Sequence, residues 1–235
     1  MHSKIDVVIM AGGKGNRLLP LTENTPKPLL KIGDKPIIEY NTDLLASYGI
    51  KHINIAVNYL SDQIISYFKA NNKHQIEFNF IEESKSLGTI GALKLKEHFR
   101  KDYILVMNAD LLTNVNLDAV FNAFLSQKAD ALVTTVPYNV DIPHDAIETN
   151  DEGIVTNLKE KHSFTYHLNA GIYIFKSVCL DFIPENTFFD ATDLIKVLLE
   201  NGKIIRTYSI SGYWLDIGKP EDFEKAQEDI KHLKL

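Results

Sequence analysis

Four short apolar runs recur through the first half of the chain, at residues 5–10 (IDVVIM), 52–57 (HINIAV), 76–81 and 103–107 (YILVM). Between them lie stretches with helical spacing at 37–48, 61–70 and 90–99. Strands this short that alternate with helices pair in parallel, because each helix carries the chain back to the same end of the sheet. The rhythm continues with a helix over 116–127 and a strand over 131–137. It predicts an α/β fold, an open, mostly parallel sheet with helices on both faces. The second half is less regular. Strands are expected at 146–149, 154–159, 169–175, 204–208 and 213–217, and helices at 192–200 and 220–231. Pro220 suits a first helical turn and Asp222 the dipole there.

Glycine and proline punctuate the junctions without forming a linker, and no repeat appears. With 235 residues, one compact domain over 1–235 is expected, its halves falling at about 1–135 and 136–235. The apolar runs are far too short to span a membrane, and the N-terminus lacks a signal-peptide pattern. The one cysteine, Cys179, lies in an apolar setting with nothing near it in sequence to activate a nucleophile. A lone cysteine suits a reducing, cytoplasmic compartment. The net charge of −6 argues against nucleic acid or an anionic membrane as partner. Cations are instead gathered locally, since residues 11–31 hold Lys14, Arg17, Lys27 and Lys31 against Glu23 alone.

That cationic segment follows the first strand and reads AGGKGNRLLPLTENTPKP. A dinucleotide fingerprint would need glycine where Leu18 stands, and a helix that Pro20 breaks. A P-loop motif is absent. The remaining functional reading is a glycine-rich loop that approaches a nucleotide with bare backbone and presents Arg17 and Lys27 to phosphate. A solvated turn would explain the glycines. It would not explain a lysine held between Pro26 and Pro28.

The runs AGG-x-G-x-R-L-x-P-L-T and T-P-K-P resemble the signature of sugar-1-phosphate nucleotidylyltransferases, especially the mannose-1-phosphate guanylyltransferase-like members. LGTIGAL (87–93), MNAD (107–110), LKEK (158–161), NAGIY (169–173) and YWLDIGKPEDF (213–223) extend the match along the chain. The resemblance implies a mixed, Rossmann-like sheet of the glycosyltransferase-A type. It implies transfer of a nucleotidyl group from a nucleoside triphosphate, GTP above all, to a sugar 1-phosphate with release of pyrophosphate. UTP, dTTP or CTP as donor is the alternative within that chemistry. A regulatory domain that binds a nucleotide sugar without turnover is the alternative outside it. A homo-oligomer is compatible with either.

The same resemblance assigns roles. Arg17 steadies the triphosphate and Lys27 the α-phosphate. Ala11, Gly12, Gly13, Gly15, Gly88 and Thr89 surround the nucleotide, with Glu82 as acceptor for guanine. Glu160 and Lys161 hold the sugar phosphate, and Asn169 and Gly171 face the sugar. Asp110, catalytic with Arg17 and Lys27, joins Asp216 in binding Mg2+, which suits oxygen ligands. Trp214 is expected to pack rather than form a sugar platform. Asn16 and Ala109 stand where the family has threonine and glycine. His144-Asp145-Ala146 replaces a tyrosine-glycine-valine segment, and His162 replaces a proline. The last two departures lie on the acceptor side. Neither the histidine spacing nor Ser163 supports a metal centre or a hydrolase triad.

Overall fold

The computed structural model describes residues 3–95, 99–159 and 163–233. Its elements begin with β1 (Ile5–Met10), the short pair β2 (Lys31–Ile32) and β3 (Lys35–Pro36), α1 (Ile37–Ser47), β4 (His52–Val57), α2 (Ser61–Ala70) and β5 (Glu77–Glu82). They continue with β6 (Tyr103–Asn108), β7 (Leu111–Thr113), α3 (Leu117–Ser126), β8 (Ala131–Asp141), β9 (Ala146–Thr149) and β10 (Val155–Lys159). The last are β11 (Ser163–Lys176), α4 (Ala191–Glu200), β12 (Ile205–Ser209), β13 (Trp214–Asp216) and α5 (Pro220–Asp229). Among the described residues, no helix is long and apolar enough to cross a membrane.

Seven strands form one sheet in the order β12-β8-β11-β6-β1-β4-β5. Strand β1 pairs in parallel with β4 and β6, β4 with β5, and β8 with β12. Only β11 runs against its neighbours. The sheet is thus mixed but mostly parallel, a Rossmann-like arrangement that crosses both halves of the chain. The central runs read as continuously apolar because both of their faces are buried. Val7 and Ile9 of β1 join Leu105 and Met107 of β6 under α1, α2 and α3. Val8, Ile104 and Val106 face the other way, toward α4 and Cys179. A smaller cluster packs Leu18, Ile37, Tyr40, Leu112, Ile217 and Ala226 at the end of the sheet where β1 and β6 finish.

Local chemistry explains most helix starts. The Asn116 side chain accepts the Ala119 N–H at 2.9 Å and caps α3. Asp190 and Asp193 form a reciprocal box at the start of α4. Pro220 opens α5, and the Asp222 carboxylate accepts the Gly218 and Lys219 N–H groups at 3.1 and 3.0 Å. One expectation fails. The helix read over 90–99 is a 3-10 turn over Gly91–Leu95, and residues 96–98 lie outside the described residues. The N–H groups of Ile90 and Gly91 both donate to the Phe189 carbonyl, 3.1 Å away in each case. A side chain at Gly91 would collide with the Thr187 carbonyl, so that segment presses on the turn from outside.

Candidate functional site

The strand order reverses at β1, which has β4 on one side and β6 on the other. In open α/β sheets, such a reversal leaves a crevice beyond the carboxyl ends of the strands. A cavity of about 270 Å³ opens there, bounded by Gly13, Gly15, Arg17, Lys27, Asp110 and Gly218 among others. Segments distant in sequence converge on it.

The loop after β1 starts firmly, with the Ala11 N–H donating to the Ala56 carbonyl at 2.8 Å. Nothing would obstruct a Cβ at Gly13, so its backbone faces open space. Gly15 adopts φ +65°, and a Cβ there would press on Thr22 and on the Lys27 side chain. Glycine therefore lets the loop fold down over Lys27. The Thr22 hydroxyl fixes that fold by donating to the Gly15 carbonyl at 2.9 Å. Arg17 follows in a 3-10 turn, Asn16–Leu18. Its guanidinium lies over Gly218, where a Cβ would stand 3.3 Å from the nearest nitrogen. Lys27 begins a second 3-10 turn, Lys27–Leu29, entered through Pro26 and continued by Pro28. The two prolines do restrict the backbone around a buried lysine, and its ammonium pairs with Asp110 Oδ2.

Asp110 follows the end of β6, and Asp216 ends β13. Strand β13 pairs with β7 so that Asp216 stands opposite Leu111, and the Ile217 N–H donates to the Asp110 carbonyl at 3.0 Å. The two carboxylates are therefore neighbours. Burial first, and then the charge of Asp110, push the Asp216 carboxyl up to about 6, although Lys27 and Arg17 oppose the rise. One oxygen of each carboxylate, Asp110 Oδ1 and Asp216 Oδ1, is buried without a hydrogen-bond partner. Buried carboxylate oxygens without donors are costly. A hard divalent cation of Mg2+ type, which binds through one or two carboxylates plus substrate phosphate, suits this pair.

The other expected residues are more dispersed. Glu82 is exposed and borders a separate cavity of about 600 Å³ with Asp6, Asn54 and Arg100. The carboxylate beside the glycine loop is Glu83. Its Oε2 accepts the Leu87 N–H at 2.9 Å, and a Cβ on Gly12 would come within 2.6 Å of its Oε1. Burial raises the Glu83 carboxyl against the lowering effect of the Leu87 N–H. The run Glu82-Glu83 offers no sequence signal for which of the two turns inward. Gly88 and Thr89 are engaged by the protein itself. The Thr89 N–H donates to Asp190 at 2.8 Å, and the Thr89 hydroxyl accepts the Ala191 N–H at 2.8 Å. At φ +78°, Gly88 lies tight against Phe189.

On the acceptor side, Asn169 accepts the Gly171 N–H at 3.0 Å and donates to the Tyr173 hydroxyl at 2.7 Å. Gly171, at φ +72°, makes room for the Asn108 side chain. Burial raises the Tyr173 phenol, with smaller contributions from Asp190, Asp110 and Asp216. Tyr173, which the sequence reading passed over, packs in the cluster that faces α4, and its hydroxyl meets Asn169. Trp214 packs on the main core and donates to the Ala170 carbonyl at 2.8 Å. Glu160 and Lys161 lie outside the described residues.

A nucleotidyl transferase family model matches residues 6–232. A D-glycero-alpha-D-manno-heptose 1-phosphate guanylyltransferase from Aneurinibacillus thermoaerophilus is 29% identical over 97% of this chain and 99% of its own length. A UTP--glucose-1-phosphate uridylyltransferase from Synechocystis is also 29% identical, over 97% of this chain and 65% of that protein. Among solved structures, HddC from Yersinia pseudotuberculosis complexed with GMP-PN superposes with a TM-score of 0.75 at 26% identity, covering 96% of this chain and 99% of HddC. The chain spans only about half to two thirds of several of these curated relatives, between 53% and 65% of their length.

Proposed function

The chain belongs to the nucleotidyl transferase family, and from that premise we propose that it joins a nucleoside triphosphate, GTP by preference, to a sugar 1-phosphate. A phosphate oxygen of the acceptor attacks the α-phosphorus in line. The bond from the α-phosphorus to the bridging oxygen breaks, and that electron pair leaves with pyrophosphate. The obstacle is repulsion between anions. Two unit charges about 4 Å apart oppose each other by roughly 4 kcal/mol at an effective dielectric near 20. Catalysis therefore consists largely of placing positive charge and holding the reactants in line.

The observation that carries this reading is the pair of partnerless buried oxygens, Asp110 Oδ1 and Asp216 Oδ1, in a cleft that also holds Arg17 and Lys27. The two aspartates would hold Mg2+, which would neutralise charge on the triphosphate. Arg17, seated on Gly218, presents a planar fork of donors to the departing phosphates. Lys27 exchanges Asp110 for phosphate when the nucleotide arrives. The backbone of Gly13, with open space where a side chain would stand, would admit the nucleotide.

Glu83, in its ionised form, would favour guanine. A carboxylate only accepts hydrogen bonds. Among the common bases, guanine alone offers two adjacent donors, N1–H and the N2 amino group, along its pairing edge. The GMP-PN complex of HddC and the guanylyltransferase relative point the same way, while the uridylyltransferase keeps UTP as the alternative donor. The test is pyrophosphate release over a matrix of nucleoside triphosphates and sugar 1-phosphates. GTP should give the highest kcat/KM, and Glu83→Gln should narrow its lead over UTP. A preference for UTP would overturn the base assignment alone. Absence of pyrophosphate release throughout, with nucleotide sugar still bound, would overturn the reaction.

A further inference from the structure

Asn41 lies on α1 and is 1% exposed, on the helix face that carries core residues such as Ile38 and Leu45. Its Nδ2 donates to the Ala109 carbonyl at 3.2 Å, while its Oδ1 is buried with no partner. A buried amide with an orphan oxygen costs stability, and an aliphatic side chain of similar size would avoid that cost. What asparagine supplies here is the donor to Ala109.

That carbonyl belongs to the peptide linking Ala109 to Asp110. The neighbouring groups are fixed as well, since the Ala109 N–H donates to the Met10 carbonyl at 3.1 Å and the Asp110 carbonyl accepts from Ile217 at 3.0 Å. Strand β1, helix α1 and the end of β13 thus grip the same two residues. The orientation of the 109–110 peptide plane sets ψ of Ala109 and φ of Asp110. The latter decides where the Asp110 carboxylate points. We infer that Asn41 is a positioning residue for the divalent-cation site, holding the 109–110 peptide so that Asp110 meets Asp216 at the geometry a cation requires. This rests on the reading of the cleft given above. It adds a supporting side chain to the carboxylates, the kind of group whose removal costs 10–100-fold in cation affinity.

The test uses the full chain with Mn2+ as probe. Binding is followed by electron paramagnetic resonance with GTP, or UTP as a second arm, and without acceptor, so that no turnover is needed. Melting temperature in EDTA is recorded alongside. Asp110→Asn should abolish the protein-dependent Mn2+ signal. Asn41→Leu should weaken Mn2+ binding by about 10–100-fold while the cation-free protein melts within a few degrees of the wild type. Asn41→Ala, which cannot clash, should do the same. Wild-type Mn2+ affinity in both Asn41 variants, with Asp110→Asn still defective, would overturn the role of Asn41 and leave the cleft intact. Loss of folding in both would make the contact purely structural and would overturn it too. An Asp110→Asn protein that binds Mn2+ normally would instead overturn the cation site itself.

Discussion

Asp216→Asn should make the cation-free protein more stable while destroying its use of a cation. The Asp216 carboxyl rises from 3.8 to about 6 because it is buried and faces Asp110. The sign follows from linkage. A carboxyl with a raised folded pKa contributes stability below its unfolded pKa. That contribution is lost as pH rises through the folded value, so above about pH 6 the ionised group burdens the fold. Asparagine cannot ionise and keeps what the wild type loses. Each pH unit between the two values corresponds to about 1.4 kcal/mol. Solvent reaching a partly exposed carboxylate reduces the total to on the order of 1–2 kcal/mol. At about 2–4 °C per kcal/mol for a chain of this size, the variant should melt roughly 2–8 °C higher at pH 8. The assay is scanning calorimetry in EDTA from pH 4 to pH 8, where the gap should widen up to about pH 6 and then level off. Mg2+ plus nucleoside triphosphate should then stabilise the wild type and not the variant. A variant melting at or below the wild type at pH 8 would refute the claim that the Asp216 carboxylate burdens the fold when no cation is bound.

Two further outcomes are expected. Lys27→Met removes the ammonium that pairs with Asp110. Mn2+ without nucleotide should therefore bind at least about tenfold more tightly at pH 8 by electron paramagnetic resonance, since a unit charge about 4 Å away opposes a divalent cation by up to roughly 8 kcal/mol at an effective dielectric near 20. Turnover should fall nonetheless, and unchanged Mn2+ affinity would remove Lys27 as a competitor for the site. Cys179, whose thiol burial and the nearby Asp130 push up to about 11, should resist iodoacetamide at pH 8 for hours in the native protein. It should label fully in denaturant, and rapid native labelling would contradict its burial.

The first half of the fold was legible because its strands are apolar on both faces and its helices are long enough to show their period. Strands β1 and β4 and helix α2 carry the expected bounds. Strand β7 and the β2–β3 pair are too short to leave a period. The expected end of β8 at Pro137 was misleading. Beyond Thr135, the partner of the last β12 residue, one edge of β8 is unpaired, and a residue without an N–H is tolerated on a free edge. In the cleft, Arg17, Lys27, Asp110 and Asp216 were readable through motif resemblance. Glu83 was not, because alternation cannot tell which of two adjacent glutamates turns inward. Asn41 left no trace at all, since its part depends on a carbonyl supplied by a remote strand.

Asp110 and Asp216 come from opposite halves of the chain and are held beside each other by a ladder of only three pairs, Leu111–Thr113 against Trp214–Asp216. One face of that ladder, Leu112 with Leu215, rests on the smallest of the apolar clusters, while Leu111 and Trp214 pack on the main core. Local opening is easiest where few apolar contacts must be given up. Amide exchange in β7 and β13 should accordingly outpace that in β1 and β6. The seven-stranded sheet would then outlast the candidate site: mild denaturant would loosen the cleft before the protein unfolded, and nucleotide with a divalent ion would act as a clasp on this short seam.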